Sequence, residues 1–298
     1  NNLIKKHEHT KPVKERDRIK NIDSLNAQTG PVLLTYPDDE KIDSLIKDVT
    51  LNNQPIYDVF SDNESNHKIW IIDDNDIVKT IVESINALDA LFIADGHHRS
   101  AAASKVKAIR QKANEHHNGN ENYNYFLSVS FPASQMKILD YNRLLSSMNE
   151  HSVESILDQI NNFFDVKKCQ KEIRPKQPKE FGMYLDGNWY QLTFKLETKN
   201  FNPVESLDVS ILHDYVLEPI FGIEDERTNE AIDFVGGIRG LDELERRVNS
   251  GEMKIAFAFF PTSIESLIAV ATAGQVMPPK STWFEPKLLD GLLTHKIA

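Results

Sequence analysis

Hydrophobic residues recur along this chain with two spacings, one typical of helices and one typical of strands. Ile19, Ile22 and Leu25 lie on one helical stripe, and short apolar runs such as 31–36 indicate strands. The helical spacing predicts helices over 13–25, 38–49, 73–87, 97–113, 152–164, 208–217, 241–248 and 263–273. The apolar and alternating runs predict strands over 31–36, 56–60, 68–72, 90–94, 125–131, 137–139, 181–185, 188–196 and 255–260.

The run 90–94 is apolar at every position, and Asp95 and Gly96 follow it directly. A central strand with both faces buried has this pattern, because successive side chains point to opposite faces of a sheet. Residues 100–113 contain neither proline nor glycine, so we expect a helix that begins at His97 or His98. The sequence therefore predicts a buried strand that turns sharply into a helix.

Helices and strands alternate along the whole chain, which favours a mixed α/β fold over a helix bundle or a β-sandwich. Beyond residue 151 the pattern changes to strands joined by Asp186 and Gly187, a hairpin signal. We therefore predict a core over residues 1–150 and a smaller antiparallel lobe over residues 151–298. Pro219 is expected to close the helix over 208–217.

Composition and charge narrow the classes of ligand. With 40% hydrophobic and 27% charged residues, the 298-residue chain has the composition of a globular protein. Its formal net charge of -11 disfavours nucleic acid as a partner and favours small ligands. The single cysteine, Cys169, excludes an intrachain disulfide and a multi-cysteine metal site, which fits a cytoplasmic protein. No apolar run is long enough to predict a membrane span, and the oligomeric state is not indicated.

The predicted turn from strand to helix carries the strongest chemical signal. Backbone N–H groups and the positive end of a helix dipole meet there and attract anions. Gly96 lets the backbone approach a ligand, and Asp95 would hold a magnesium ion or cap the helix. Side-chain donors to phosphate oxygens follow directly, at His97, His98, Arg99 and Ser100. Two alternatives stay open: a simple N-cap among surface histidines, and a zinc site, although the i, i+4 histidine spacing is absent.

Three further segments carry candidate chemistry. Glu8 lies between two histidines near several lysines, as a general base or as part of a solvated charged loop. Residues 277–282 combine two prolines with Lys280, Ser281 and Thr282, which would grip a phosphate or form a fixed turn. The glycine-rich stretch 234–240 matches neither a P-loop nor a dinucleotide fingerprint.

Four of these segments, in this order along the chain, carry a family resemblance: 6–10, 93–99, 207–213 and 277–287. Together they resemble the family catalogued as domain of unknown function ten-fifteen, over essentially the whole chain. The Asp-Gly-His-His-Arg element is similar to that of free-serine kinases of the ParB and sulfiredoxin superfamily, where it binds the phosphates of the donor. The resemblance implies a ParB/sulfiredoxin-like catalytic core, with the second lobe contributing residues 277–282 to the site.

The resemblance also implies a reaction, the phosphorylation of free L-serine to O-phosphoserine, with pyrophosphate or a nucleotide as donor and Mg2+ as the bridging ion. On this hypothesis Glu8 is the base, Asp95 holds the magnesium, and His97 shares the catalytic role. The expected phosphate-binding residues are Gly96, His97, His98, Arg99, Ser100, Lys280, Ser281 and Thr282. The expected substrate-binding residues are His7, Thr10 and Arg143, the last as a fork-shaped donor to the serine carboxylate.

Members of this family usually carry an N-terminal region before the Lys-His-Glu element, so we expect an upstream segment to complete the site. Two other functions stay open. The same superfamily includes nucleotide-binding proteins of DNA segregation and gene regulation, which suggests a non-catalytic nucleotide- or phosphate-binding regulator. The acidic charge and the absence of a basic helix-turn-helix pattern argue against DNA binding. A ligand sensor with the same pocket would bind its ligand without turnover.

Overall fold

A computed structural model describes residues 2–61 and 65–297 of the chain. Within these residues there are nine α-helices and sixteen β-strands. The helices are α1 (Pro12–Leu25), α2 (Glu40–Asn52), α3 (Asn75–Ala87), α4 (His97–Ala113), α5 (Val153–Ile160), α6 (Asp208–Leu212), α7 (Glu218–Phe221), α8 (Asp242–Asn249) and α9 (Ile264–Thr272). The strands are β1 (Ile4–Lys5), β2 (Ala27–Gln28), β3 (Val32–Tyr36), β4 (Tyr57–Phe60), β5 (Asn66–Ile69), β6 (Leu91–Asp95), β7 (Ser128–Pro132), β8 (Lys137–Leu139), β9 (Tyr141–Leu145), β10 (Phe164–Cys169), β11 (Glu180–Leu185), β12 (Asn188–Phe194), β13 (Ile232–Gly236), β14 (Ile255–Phe259), β15 (Trp283–Glu285) and β16 (His295–Lys296). The predicted mixed α/β fold is confirmed.

Local chemistry explains where several helices begin. The side chains of Asp39, Asp74, Ser152 and Ser263 each accept a hydrogen bond from a backbone N–H of the following turn. A cap of this kind satisfies N–H groups that have no partner inside the helix. These caps lie within two residues of the predicted helix starts.

The expectation that Pro219 closes a helix is wrong. Residues 213–217 form a π-helical turn between α6 and α7, and the helical path runs on to Gly222, whose φ is 67°. Helix α7 begins at Glu218, so Pro219 lies in its first turn. The N–H that proline lacks would have no partner inside the helix at this position, so proline is tolerated there. Glycine ends the helix because it adopts the left-handed conformation without strain.

The first sheet has the strand order β1-β6-β3-β7. Strand β6, which contains the predicted central run, is an inner strand, parallel to β1 and antiparallel to β3. Helices α1 and α4 pack together through a small apolar cluster that includes Ile22, Ala102 and Val106. Because β1 and β6 are parallel, their carboxyl ends lie at the same edge of this sheet.

The second sheet is antiparallel and has six strands, in the order β10-β12-β11-β14-β9-β13. It is larger than the sequence suggested, because β9 pairs with β13 and β14 although it precedes residue 150. Leu33 and Phe92 of the first sheet lie in the same hydrophobic cluster as Phe181 and Phe257 of the second. The two sheets thus share a core. The division at residue 150 stays a prediction.

Two shorter pairings bring distant segments together. Strand β15 pairs with β8, which carries the segment before it, 277–282, to the edge of the first sheet. Strand β16 pairs with β2 near the other end of the molecule. Over the described ranges 2–61 and 65–297, none of the helices combines the length and apolar character needed to cross a membrane.

Candidate active site

Glu8 and Asp95 lie at the edge where β1 and β6 end. The register of these parallel strands pairs Ile4 with Leu91 and Lys5 with Phe92. The same register continued by three residues brings Glu8 level with Asp95. The sheet therefore places two carboxylates from distant parts of the sequence beside each other.

Gly96 makes the turn from β6 into α4. Its φ is +101°, and a Cβ at this position would lie 2.9 Å from Nε of Arg99 and 3.3 Å from the Cα of Val32. The backbone N–H of Ser100 already donates to the carbonyl of Gly96, whereas the first N–H groups of α4 face outward without helical partners. Glycine is required here both by conformation and by the close approach of Val32.

The two histidines of the motif hold the segment that carries Glu8. The backbone N–H of His7 donates to Nε2 of His97 at 3.4 Å, and that of Lys11 donates to Nε2 of His98 at 2.9 Å. Each Nε2 is therefore an acceptor and is not free to donate to a phosphate. The remaining ring nitrogen of His97, Nδ1, points at Glu8 Oε2 from 3.8 Å.

Burial controls the protonation of these groups. Desolvation lowers the pKa of His97 to about 4 against the opposing effect of Asp95, and it lowers the pKa of His7 to about 3. Both rings are therefore neutral at neutral pH. Partial burial raises the pKa of Glu8, while nearby Lys280 lowers it and Asp95 raises it. A carboxylate with a raised pKa is a stronger base than one in water.

Asp95 fits the magnesium that the motif implies. Its side chain is 43% exposed, and its cationic neighbours are Lys287 Nζ at 3.3 Å and Arg99 Nη2 at 3.7 Å. Mg2+ in phosphate sites is commonly held by one or two carboxylates together with phosphate oxygens. Asp95 offers one such carboxylate at the border of two cavities.

Residues 278–282 form the facing wall. The Met277 N–H donates to the carbonyl of His7 at 2.8 Å, which ties this wall to the segment that carries Glu8. The Ser281 hydroxyl donates to the Pro278 carbonyl at 2.7 Å and closes the turn. Lys280 adopts a left-handed backbone conformation, with φ at +56°. A non-glycine residue in this region is uncommon and needs support from its surroundings.

Arg143 supplies that support, which corrects its predicted role in binding a substrate carboxylate. Its guanidinium is fully buried and donates to the carbonyls of Tyr141, Pro279 and Lys280 at 2.7 to 3.0 Å. The remaining N–H groups face Glu226 Oε2, with Nε at 3.3 Å and Nη2 at 3.2 Å. Four hydrogen bonds and an ion pair thus hold this buried guanidinium inside the protein, so Arg143 positions the wall and is not available to a substrate carboxylate.

Two cavities meet at Glu8, Asp95, His97 and Lys280. The small cavity has a volume of about 180 Å³, less than the ~300–1,000 Å³ of pockets for drug-sized ligands. Its other lining residues include His7, Tyr141, Ser281, Thr282, Trp283 and Lys287. The large cleft has a volume of about 690 Å³, and its cationic lining residues include Lys11, Lys14, Arg18, Arg99 and Arg227. Glu8 and Asp95 therefore lie between the small cavity and the large cleft, which we call the basic cleft.

The structure brings together most of the predicted site residues but not all of them. Thr10 donates its hydroxyl to Glu15 at 2.9 Å at the start of α1, and neither Thr10 nor Ser100 lines the two cavities. Sequence reasoning missed the basic residues of α1 and the cap before it. Lys11, Lys14 and Arg18 recur at i, i+3 and i+7, a spacing that places them on one helical face. This spacing could therefore have predicted the basic face of α1.

Comparison with known families identifies the chain. A family model described as "Protein of unknown function (DUF1015)" matches residues 1–210. The chain belongs to the DUF1015 family. This match confirms the predicted family over residues 1–210. No curated protein matches the chain.

Solved structures similar to this DUF1015 chain are distant in sequence. A free serine kinase in complex with AMP is 13% identical with a TM-score of 0.44, over 97% of this chain and 88% of that one. SbnI from Staphylococcus aureus, with a C-terminal truncation, is 13% identical with a TM-score of 0.47, over 97% and 82%. A conserved hypothetical protein from Pyrococcus furiosus is 14% identical with a TM-score of 0.43, over 97% and 90%. Likenesses this distant say nothing about activity, which has to be inferred from the site.

Proposed function

We propose that this DUF1015 chain transfers a phosphoryl group from pyrophosphate or a nucleotide to the hydroxyl of free L-serine. The observation that carries the proposal is the position of Glu8 and Asp95 on the wall shared by the small cavity and the basic cleft. Phosphoryl transfer requires a positioned acceptor, neutralisation of the negative charge on the donor phosphates, and a base between acceptor and donor. The identities of acceptor and donor come from the resemblance of motif 93–99 to free-serine kinases.

The basic cleft suits the donor. Lys11, Lys14 and Arg18 line it from the α1 side, and Arg227 and Lys280 line it from the facing side. The first turn of α4 adds backbone N–H groups and the positive end of its dipole. A volume of about 690 Å³ lies within the usual ~300–1,000 Å³ of ligand pockets. The cleft is therefore large enough for a nucleotide as well as for pyrophosphate.

The small cavity suits a free amino acid. Lys287 lies over the Trp283 ring at 4.9 Å and Lys280 over the Tyr141 ring at 5.1 Å, so both cations are held at its wall. Either ammonium group would bind the carboxylate of the acceptor, the role first expected of Arg143. A volume of about 180 Å³ has room for a small free amino acid such as serine.

In the proposed step Glu8 takes the proton of the serine hydroxyl as Oγ attacks the terminal phosphorus of the donor. The new Oγ–P bond forms while the bond from phosphorus to the leaving oxygen breaks, which gives O-phosphoserine and phosphate or the shortened nucleotide. His97 keeps Glu8 in place through Nδ1 and through the bond to the His7 backbone. Magnesium bound at Asp95 would neutralise charge on the phosphates.

A phosphorus NMR assay tests the proposal. Protein is incubated with L-serine, Mg2+ and, separately, pyrophosphate, ATP or ADP, and O-phosphoserine is expected with one of the donors. Replacement of the base, Glu8→Gln, is expected to lower turnover about 10²–10⁴-fold without lowering the melting temperature. Glu115→Gln, which changes an exposed glutamate in the same way, is the matched control.

One result would contradict the role of Glu8, and another would contradict the function. Turnover that survives Glu8→Gln would remove Glu8 from the mechanism. Absence of product with every donor, together with a rise in melting temperature on adding one of them, would favour a non-catalytic phosphate-binding protein.

A further inference from the structure

A third cavity, of about 330 Å³, shares Pro278 with the small cavity and borders the basic cleft at Glu226, Arg227 and Pro279. Its lining is strongly acidic and includes Glu205, Asp214, Glu224, Asp225 and Glu226, against Arg227 and His213 as the groups able to carry positive charge. Its character is opposite to that of the basic cleft, so it suits a cation.

His213 is oriented as metal-binding histidines are. Its Nδ1 lies 3.4 Å from Oε1 of Glu226, whose side chain is 2% exposed and is anchored by Arg143. Its other nitrogen, Nε2, lies 3.9 Å from Oε2 of Glu218. Asp214 completes the group, since ligand atoms of these three residues lie within 4.8 Å of one another. A carboxylate close to one ring nitrogen, with the other nitrogen directed at further ligands, is the usual arrangement behind a metal-bound histidine.

Two features independent of the acidic cluster point to a ligand here. Ser210 lines the same cavity and is 5% exposed, yet its hydroxyl has no hydrogen-bond partner within the described residues 2–61 and 65–297. A buried hydroxyl without a partner is costly, and a bound ion with its water would relieve that cost. His213 is the first residue of the π-helical turn 213–217, and π turns are frequent at functional sites.

We propose that His213 Nε2, Asp214 and Glu218 bind a divalent ion of the first transition row, with Glu226 orienting His213. One imidazole nitrogen and two carboxylates suit Mn2+, Fe2+ or Zn2+, whereas Mg2+ prefers oxygen ligands alone. Water from the cavity completes the coordination shell. The site is separate from Asp95 and does not depend on the proposed kinase reaction.

Calorimetric titration of the metal-free protein with ZnCl₂, and electron paramagnetic resonance with MnCl₂, test this site. One ion per chain is expected to bind, and His213→Ala is expected to weaken its Kd at least tenfold, since outer-shell partners alone contribute about 10–100-fold. Removing the imidazole leaves the acidic residues in place, so a purely electrostatic accumulation of ions would survive this change. Glu218→Gln alters a side chain that is 55% exposed and provides a second variant that should fold normally.

Two controls locate the ion. Asp95→Asn removes the other candidate metal ligand and His116→Ala removes an exposed loop histidine, and both are expected to bind as the wild type does. The proposal is overturned if the wild type binds neither ion. It is equally overturned if His213→Ala and Glu218→Gln bind with unchanged Kd, or if Asp95→Asn alone abolishes binding.

Discussion

One wall of the site, residues 95–99, is shaped by its own strand and helix, whereas the facing wall, residues 278–282, is held by side chains far away in sequence. In the first wall Gly96 makes the turn and the helix start supplies the donors. In the second wall the buried guanidinium of Arg143 holds two consecutive carbonyls, those of Pro279 and Lys280. Local structure thus shapes the first wall, whereas contacts between residues distant in sequence shape the second.

Substitutions in the two walls should therefore have different structural consequences. Damage to the first wall stays near the turn, because its support is the backbone of β6 and α4. Damage to the second wall reaches the core, because Arg143 is packed between the rings of Phe234 and Phe259, at 5.3 and 5.0 Å from their centroids.

Loss of the buried cation in the second wall should have the largest effect. Arg143→Met leaves the Glu226 carboxylate and three carbonyls without their donors, and breaking one side of a buried pair costs about 3–5 kcal/mol. Urea denaturation should show a fall of this size in the free energy of unfolding. Arg246→Met, which removes an exposed arginine from a surface pair, should leave stability nearly unchanged.

A fall no larger than that of the surface control would mean that Arg143 does not support this wall. Glu226→Gln keeps the side-chain shape and tests the same pair from the other partner. Its destabilisation should be of the same sign.

An added methyl group in the first wall should have an intermediate effect. Gly96→Ala forces alanine to a φ of +101° and crowds Val32 and Arg99, so we expect a loss of about 2 kcal/mol. Gly119→Ala is the matched control, because its φ of +94° is similar but a Cβ there would meet no atom within 4 Å. Thermal denaturation of both variants separates backbone strain from crowding. Equal losses would show that the close approach at Gly96 contributes nothing.

Removal of a single neutral hydrogen bond in the second wall should have the smallest effect. The Thr262 hydroxyl donates to the carbonyl of Ser281 at 3.0 Å. Thr262→Val keeps the branched shape and should cost about 1 kcal/mol in urea denaturation. A loss as large as that of Arg143→Met would mean that Thr262, rather than the buried pair, determines the position of this wall.

The same contrast explains what the sequence could predict. The end of β6 and the start of α4 were predicted within a residue, because an apolar run followed by Asp95 and Gly96 is a local signal. The burial of Arg143 was not predictable, since two of its carbonyl partners, Pro279 and Lys280, lie more than 130 residues away. A lone arginine at a strand gives no local sign of its surroundings.

Two other differences have physical causes. Pro219 was expected to end a helix, but the π-helical turn before it moves the restart to Glu218, which local propensity does not reveal. No strand was predicted over 141–145, and the division at residue 150 put these residues in the first part of the chain, although β9 pairs with β13 and β14 from beyond residue 230. Strand pairing over such separations depends on tertiary packing and leaves no periodic trace.

The proposed base is attached to the rest of the protein by few bonds. Strand β1 is a two-residue edge strand, and beyond it the segment is held by the histidine contacts at His7 and Lys11 and by the Met277 N–H. Segments with so few bonds open more readily than a buried core does. Displacement of Glu8 on heating is therefore expected to be separate from melting: the segment would leave its place reversibly while both sheets are intact, and return on cooling without refolding.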